Sequence, residues 1–232
     1  MTLIQEGHVT FNGQVQREPS TPVDPAKDQV LVNGRPVGVR KLEYVILNKP
    51  KGVTTTRADL FAEKTVMDIL PVELRHLNPV GRLDKETEGL LLCTNDGELL
   101  LQLTHPRFHV EKTYDVVING QLNEEQLRKL QKGIEIEGKL TLPARITDVH
   151  ARGNRTEFMM TIREGRKRQI RLMLAKVGRR VLDLKRVRQG PLTLGSLKPG
   201  DSRRLTEAEI HQLKELVRQS GRSVNLKNKR QR

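Results

Sequence analysis

An unbroken apolar run in the middle of the chain constrains the fold more than any other feature. It reads Gly-Leu-Leu-Leu-Cys-Thr over residues 89–94 and is followed directly by the turn sequence Asn-Asp-Gly. A short apolar run bounded by glycine and by turn residues predicts a buried strand. The loop before it, Pro-Val-Gly-Arg-Leu-Asp at 79–84, is therefore attached to a rigid element, and Asp84 occupies a fixed position.

Arg82 and Asp84 lie two residues apart in this loop. If the loop is locally extended, the two side chains share a face, and a guanidinium beside a carboxylate favours the charged form of the acid. An aspartate in a turn more commonly caps the backbone. The loop by itself leaves both interpretations open.

The charge balance indicates a polyanionic partner. The 232 residues contain 42 Lys and Arg against 28 Asp and Glu, a formal net charge of +14. Such an excess favours nucleic acid over a membrane surface. The chain has neither a long apolar span nor a signal-peptide pattern at its start, so we expect a cytoplasmic protein that does not bind membranes.

Neither the cysteine nor the histidine pattern predicts a metal site. Cys93 is the single cysteine and falls inside the apolar run, which excludes an internal disulfide. The six histidines are scattered, and Pro106 separates the two that are four apart, His105 and His109. The chain has no Trp, two Tyr and four Phe, so an extensive aromatic stacking surface is not expected.

Strand and helix patterns alternate irregularly along the chain. Apolar residues repeat on one helical face over 168–177, and Thr206 with Glu209 predicts a capping box at the start of a last helix. Strands are predicted at 44–48, 89–94, 111–118, 134–136, 144–150, 156–163, 180–187 and 191–194, and further helices at 65–70, 97–103 and 123–133. This order favours an α+β fold with a mixed, mainly antiparallel central sheet and flanking helices.

The two ends of the chain differ from this central part. Residues 1–38 contain two Asn-Gly pairs between apolar runs, at 12–13 and 33–34, which predict two hairpins. This segment resembles the second half of an αL RNA-binding domain, without the leading helices of that domain. A hairpin unit that only covers the main domain is an equally open interpretation. Residues 221–232 are basic and contain no acid, which predicts a disordered tail.

Three candidate functional features lie outside the central loop. Residues 166–168 are three consecutive cations before a helix, which is either a phosphate site or a solvated surface. Arg171 falls at the edge of the apolar helical face, where it could reach inward to a carboxylate. Tyr114 alternates with Val116 and Ile118 on one face of its strand, which is typical of packing and also of a residue that lines a cleft.

From residue 44 to 216 the chain resembles the RsuA/RluB type of ribosomal RNA pseudouridine synthase. Three motifs in order carry the resemblance: GRLDKETEGLLLCTNDGELLLQLTHPRFHVEKTYDV, EGRKRQIRLM and LDLKRVRQGPLTLGSL. It implies the pseudouridine synthase fold over 44–218, with Asp84 as nucleophile, Tyr114 stacked on the target uracil and Arg171 in a salt bridge with Asp84. Further substrate-binding residues would be Arg82, Leu83, Lys112, Arg166, Lys167, Arg168, Gln169, Leu184 and Arg186. One departure is Leu172, where many members have a second arginine.

We therefore expect a monomeric, cofactor-free and metal-free enzyme that isomerises uridine to pseudouridine. The expected partner is structured ribosomal RNA in a protein-poor assembly intermediate, with large-subunit RNA ahead of small-subunit RNA. A non-catalytic ribosomal RNA-binding or assembly protein is the alternative that the charge alone would allow. A hydrolase or nuclease with Asp84 as general base is another, and it would require a metal.

Overall fold

The computed structural model describes residues 2–24, 27–38, 41–58 and 61–229, with backbone alone for 221–229. The chain divides into two compact units, 1–42 and 43–232. In the first unit, the predicted hairpins form one antiparallel sheet in the order β2-β1-β3-β4. Its strands are β1 (Val9–Phe11), β2 (Gln14–Gln16), β3 (Val30–Val32) and β4 (Arg35–Pro36). Asn12 and Asn33 adopt positive φ angles of 49° and 50° ahead of their glycines, as such turns require.

The second unit is built on a sheet that has nine strands within the described residues, in the order β11-β12-β8-β13-β7-β5-β15, with β14 beside β13 and β6 beside β7. Its strands are β5 (Tyr44–Lys49), β6 (Asn78–Pro79), β7 (Glu88–Thr94), β8 (Lys112–Asn119), β11 (Arg145–Arg152), β12 (Arg155–Ile162), β13 (Val181–Gln189), β14 (Leu192–Thr193) and β15 (Ser202–Arg204). A separate hairpin is formed by β9 (Glu135–Ile136) and β10 (Lys139–Leu140). Neighbouring strands are antiparallel except β7 and β13, which run parallel. The predicted mixed, mainly antiparallel sheet is confirmed.

Helices cover both faces of this sheet. They are α1 (Val66–Ile69), α2 (Gly97–Thr104), α3 (Glu124–Lys132), α4 (Gln169–Lys176) and α5 (Glu207–Lys229), with 3₁₀ turns at Val72–Leu74 and Pro106–Phe108. The capping box predicted at Thr206 and Glu209 is present. No helix in the described ranges is both long and apolar enough to cross a bilayer.

The buried run of β7 explains why the sheet has helices on both faces. Leu91 and Cys93 join one apolar core, which includes residues of α4, and Leu90 and Leu92 join a second core, which includes residues of α2 and α5. All four side chains are fully buried. A strand covered on both faces needs an unbroken apolar sequence rather than an alternating one, so the feature most evident in the sequence marks the centre of the fold.

The prediction of a disordered C-terminal tail is wrong for residues 221–229. The helix α5 continues through them to Lys229, and residues 230–232 lie outside the described part of the chain. The segment contains no proline, and lysine and arginine suit the end of a helix because they interact favourably with the negative end of its dipole. A basic composition without acids is therefore compatible with a helix end.

Candidate active site

The loop that carries Asp84 is fixed to the sheet from two sides. The Thr55 hydroxyl donates to the Leu83 carbonyl oxygen at 2.9 Å and accepts from the Leu83 N–H at 3.2 Å. Beyond Asp84, the Lys85 carbonyl oxygen accepts from the buried Lys49 ammonium at 3.3 Å and from the Gly52 N–H at 2.9 Å. The residues on either side of Asp84 thus have defined positions, and the aspartate is half-buried at the point where the loop enters β7.

Asp84 lines a pocket of about 560 Å³ that lies between this loop, the sheet and the start of α4. That volume falls within the usual range for a small-molecule site. Of the predicted site residues, the pocket is lined by Arg82, Leu83, Asp84, Lys112, Tyr114, Arg166, Lys167, Arg168, Gln169, Leu184 and Arg186. The chain therefore brings together residues that are about a hundred positions apart, and Arg171 is the predicted site residue that does not line this pocket.

Tyr114 and Leu184 belong to the apolar part of the lining. Tyr114 is 8% exposed and lies on the buried face of β8 with Val116 and Ile118, as the alternation predicted. Leu184 is also buried and lies on the neighbouring strand β13. A planar ring beside an aliphatic side chain suits a flat heterocycle of the size of a nucleobase.

Two desolvated cations lie next to this apolar patch. Arg186 is the cross-strand neighbour of Tyr114, is 2% exposed, and uses its Nε to donate to the Leu90 carbonyl oxygen at 2.7 Å. Its Nη2 is buried and has no partner among the described residues. Burial lowers the pKa of Lys112 to about 8, and the nearby positive charge of Arg186 contributes to the decrease. A site with one buried cation, one partly buried cation and an unpaired donor favours a negatively charged ligand.

The predicted salt bridge between Asp84 and Arg171 is not formed. No ion pair within 4.0 Å joins these two described residues, and the Arg171 guanidinium instead donates to the Glu86 carbonyl oxygen at 3.1 Å. Burial and the charge of Arg168 lower the pKa of Arg171, while Asp84, Glu86 and Asp183 act in the opposite direction. Arg171 thus holds the loop through its backbone and acts on Asp84 by proximity of charge rather than by contact.

The cationic run before α4 is less available to phosphates than the sequence indicated. Arg166 is bonded to the β9–β10 hairpin through the carbonyl oxygens of Lys139 and Ile136. Gln169 is buried and bonds to Glu164 and to the Arg166 N–H. These contacts are structural, because they anchor the segment to neighbouring elements. Lys167 and Arg168 are exposed at the pocket and are the members of the run that remain open to an external anion.

Sequence reasoning did not identify several residues of the site. Lys49 and Thr55 position the loop of Asp84, and Gln189 is buried in the pocket lining with an unpartnered amide oxygen. A lysine at the end of the apolar strand Tyr-Val-Ile-Leu-Asn-Lys was a usable signal, since a charge in a buried strand requires partners. His105 and His109 also line the pocket, and no group of three or more potential metal-ligating side chains occurs among the described residues.

The fold thus places a carboxylate in a pocket with a cationic lining, and comparison with known proteins gives the family of the chain. The family model described as RNA pseudouridylate synthase matches residues 43–176. The ribosomal large subunit pseudouridine synthase B of Bacillus subtilis is 39% identical over 217 residues, covering 93% of this chain and 88% of that protein. The ribosomal small subunit pseudouridine synthase A of Vibrio vulnificus is 35% identical, with coverages of 90% and 89%.

A solved crystal structure of a pseudouridylate synthase agrees with this match. It superimposes with a TM-score of 0.68 at 30% identity and covers 91% of this chain and 90% of its own. The chain belongs to the RNA pseudouridine synthase family. It is therefore an isomerase that acts on RNA, and the resemblance in the sequence is confirmed.

Proposed function

We propose that this enzyme converts a specific uridine of large-subunit ribosomal RNA to pseudouridine, with Asp84 as the nucleophile. The main observation that supports this proposal is that Asp84, Tyr114 and the buried Arg186 line one pocket. The 39% identical relative named as a large-subunit enzyme supports the choice of RNA, and the net charge of +14 supports binding to a structured RNA. The proposed setting is a protein-poor assembly intermediate in the cytoplasm, bound by a monomer.

The proposed reaction begins with a uridine that leaves its stack and enters the pocket. Extrusion is required because the glycosidic bond of a stacked nucleotide is not accessible to a side chain. The base would pack between Tyr114 and Leu184, while Lys167 and Arg168 would contact the distorted backbone. The cost of unstacking would then be offset by these contacts.

Asp84 would next promote cleavage of the bond between N1 of the base and C1′ of the ribose. It does so either by direct attack on the nucleoside or by driving departure of uracil as an anion. The partly buried Lys112 and the buried Arg186 would hold the negative base while it turns. C5 would then bond to C1′, and in the direct-attack route the bond between Asp84 and the nucleoside would break. The hydrogen on C5 would leave as a proton, and N1 would take up a proton. Bonds broken and formed balance, so the enzyme confines a fragment rather than supplying a cofactor.

Arg171 has a positioning role in this proposal. Its bond to the Glu86 carbonyl oxygen holds the loop, and its positive charge interacts with the negative charge of the nearby aspartate. Removal of Arg171 should therefore reduce turnover much more than RNA affinity. If affinity fell in proportion to turnover, Arg171 would instead be a phosphate ligand.

Tritium release from ribosomal RNA labelled as [5-³H]uridine tests the catalytic proposal, because the hydrogen on C5 is lost in the reaction. Wild-type enzyme should release tritium, and Asp84→Asn should release none while it still binds RNA. The control is Asp148→Asn, since Asp148 is exposed and does not line the pocket. Retained turnover in Asp84→Asn would refute the assigned role.

Small-subunit RNA is the second candidate substrate, because the 35% identical relative bears that name. Pseudouridine mapping by carbodiimide modification and primer extension, in cells that lack the gene, separates the two. A stop that disappears from large-subunit RNA supports the proposal. A stop that disappears from small-subunit RNA instead would overturn it.

The domain assignment is also a proposal: residues 1–38 as a partial αL RNA-binding domain and 44–218 as the catalytic domain. The division of the chain into units at residues 42 and 43 supports it. A chain that starts at residue 43 should retain the catalytic pocket, since the pocket-lining residues that the structure describes all lie in the second unit. Comparing its RNA affinity with that of the full chain measures the contribution of the hairpin sheet.

A further inference from the structure

A second groove opens next to the catalytic pocket, with a volume of about 860 Å³. It lies between the 3₁₀ turn Pro106–Phe108, the β13–β14 turn and one face of α5, and we call it the flanking groove. Its lining includes Arg107, Phe108, Arg188, Pro191, His211 and Leu216. His109 and Arg163 line both the flanking groove and the catalytic pocket, so the two cavities are contiguous.

The flanking groove combines apolar surface with a cationic rim. Phe108, Pro191 and Leu216 contribute the apolar part. The Arg107 guanidinium carbon lies 4.7 Å from the centroid of the Phe108 ring, as in a cation–π contact. Surfaces that bind single-stranded nucleic acid pair flat apolar or guanidinium groups for the bases with cations for the phosphates. The flanking groove has both components.

Its positive charge is not cancelled by the acids nearby. Glu111 is paired with Arg145 and Arg163 at 3.1 and 3.0 Å, and Glu215 is paired with Arg218 at 2.8 Å. Both carboxylates of the lining are therefore already engaged. The remaining two arginines of the groove, Arg107 and Arg188, make no ion pair with any described acid.

The wall of the flanking groove depends on a close approach at Gly190. This residue has a φ angle of 55°, and a Cβ built on it would lie 2.8 Å from the Leu216 Cδ2 atom. Its N–H donates to the Glu111 carbonyl oxygen at 2.8 Å. The β13–β14 turn is thus held against α5 with the groove already formed.

We propose that the flanking groove binds a short unpaired stretch of the substrate RNA next to the target uridine. A nucleotide that leaves its stack exposes its neighbours, and these need a surface contiguous with the pocket. The bases would lie against Pro191 and the Arg107 guanidinium, which covers the buried Phe108 ring, and phosphates would contact Arg107 and Arg188. That the bound RNA flanks the target uridine rests on the proposed function. Binding of single-stranded RNA by the groove is argued from its charge and shape alone.

The test compares two double variants of the full chain that remove the same charge. Arg107→Ala/Arg188→Ala removes the two unpaired arginines of the groove rim. Arg155→Ala/Lys132→Ala removes two exposed cations that form no ion pair with a described acid and line neither cavity. The probe is a fluorescein-labelled RNA octamer of mixed sequence, titrated by anisotropy. At about 0.1 M salt the Kd of the rim variant should rise roughly fivefold or more. The slope of log affinity against log salt should fall by about 1.4, at about 0.7 for each phosphate contact. The control should stay within about twofold of wild type.

A third variant, His211→Glu, adds negative charge at an exposed position of the groove and should also weaken binding. Equal losses in the rim variant and the control would overturn the proposal, because they would indicate a charge effect of the whole surface. An unchanged Kd in the rim variant would overturn it as well. Competition by an acidic peptide as effective as competition by unlabelled RNA would assign the groove to a protein partner instead.

Tritium release from total ribosomal RNA separates failure of this inference from failure of the proposed function. If wild type releases no tritium but the rim variant loses octamer affinity, the ribosomal substrate is wrong and the groove assignment stands. If wild type releases tritium and the rim variant binds the octamer normally, the groove assignment is wrong. Photocrosslinking of an octamer that contains 4-thiouridine should label peptides that include 106–111 or 211–220, and labelling confined to other peptides would contradict the proposal.

Discussion

Lys49 is a fully buried lysine at the end of β5, and its replacement by methionine tests how the loop of Asp84 is held. The ammonium donates to the carbonyl oxygens of Pro50 at 2.9 Å, Val53 at 2.7 Å and Lys85 at 3.3 Å. One side chain thus ties the sheet to the backbone just beyond the proposed nucleophile.

The burial of this ammonium has a cost that depends on pH. Burial lowers the pKa of Lys49 from 10.5 to about 8, and the charges of Glu86, Asp84 and Glu88 oppose that decrease. At about 1.4 kcal/mol per pH unit, the cost of the charged form in the native state is on the order of 3 kcal/mol. Below pH 8 both the native and the unfolded chain carry the charge, and the native state bears this cost in full.

The sign of the pH dependence follows from proton counting. Between pH 8 and 10.5 the unfolded chain binds one more proton at Lys49 than the native chain, so the contribution of Lys49 to the free energy of unfolding rises with pH. Lys49→Met removes this titration. It also leaves the carbonyl oxygens of Pro50 and Val53 without this donor, at roughly 1–3 kcal/mol each. These two effects oppose each other near pH 7.5. The informative quantity is therefore how the difference in free energy of unfolding between wild type and Lys49→Met changes as the pH rises.

Urea unfolding of both proteins at pH 7.5, 9 and 10.5 measures this quantity. Across this range the free energy of unfolding of wild type should rise by about 3 kcal/mol relative to that of Lys49→Met. Lys64→Met, at an exposed lysine, is the control for the loss of one positive charge. A difference that stays constant within about 0.5 kcal/mol would refute the argument that the ammonium is desolvated. Tritium release by Lys49→Met should also fall, because the Lys85 carbonyl oxygen loses one of its two donors.

Three further predictions concern the sheet and the loop. Gly89→Ala should destabilise the protein by several kcal/mol in urea unfolding, comparable to a severe core defect. Its Cβ would lie 2.3 Å from the Arg186 carbonyl oxygen, and residue 89 has a φ of 114°. The control Gly97→Ala, which has open space around it, should leave stability unchanged or slightly raised. Arg171→Ala should lower kcat for tritium release at least tenfold more than it weakens RNA binding, and equal losses would contradict a positioning role. Burial raises the pKa of the Cys93 thiol to about 12, so Ellman's reagent should react with it only in urea, and rapid reaction of the native protein would contradict its burial.

The parts of the fold that were predictable from sequence are those set by local signals. The glycine-bounded run predicted β7, the Asn-Gly pairs predicted the two hairpins of the first unit, and Thr206 with Glu209 predicted the start of α5. In each case the signal lies within a few residues of the element that it specifies. The strand β15 has no such signal, because Ser-Arg-Arg is polar and pairs as an edge strand only when β5 is already in place.

Partners of long side chains were much less predictable than elements. Arg166 was expected at a phosphate and Arg171 at Asp84, yet both donate to backbone carbonyl oxygens. A guanidinium has five donors and a long flexible stem, so it bonds to whichever acceptors the tertiary fold brings near. The carbonyl oxygen that Arg171 contacts belongs to a residue 85 positions away, and spacing along the chain does not encode such a contact.

The register of the sheet explains why the residues of the site occur together. Lys49, Gly89, Arg186 and Tyr114 are successive cross-strand neighbours on β5, β7, β13 and β8. Two of them are buried cations, and Gly89 between them has no side chain, so the backbone of Arg186 approaches it closely. This row crosses the β7–β13 pair, where the strands run parallel, and the loop of Asp84 enters the sheet directly beside it. A change at Gly89 should therefore displace the loop of Asp84 and the cationic lining together. Turnover and RNA affinity should then fall together, whereas Arg171→Ala should lower turnover more than RNA affinity.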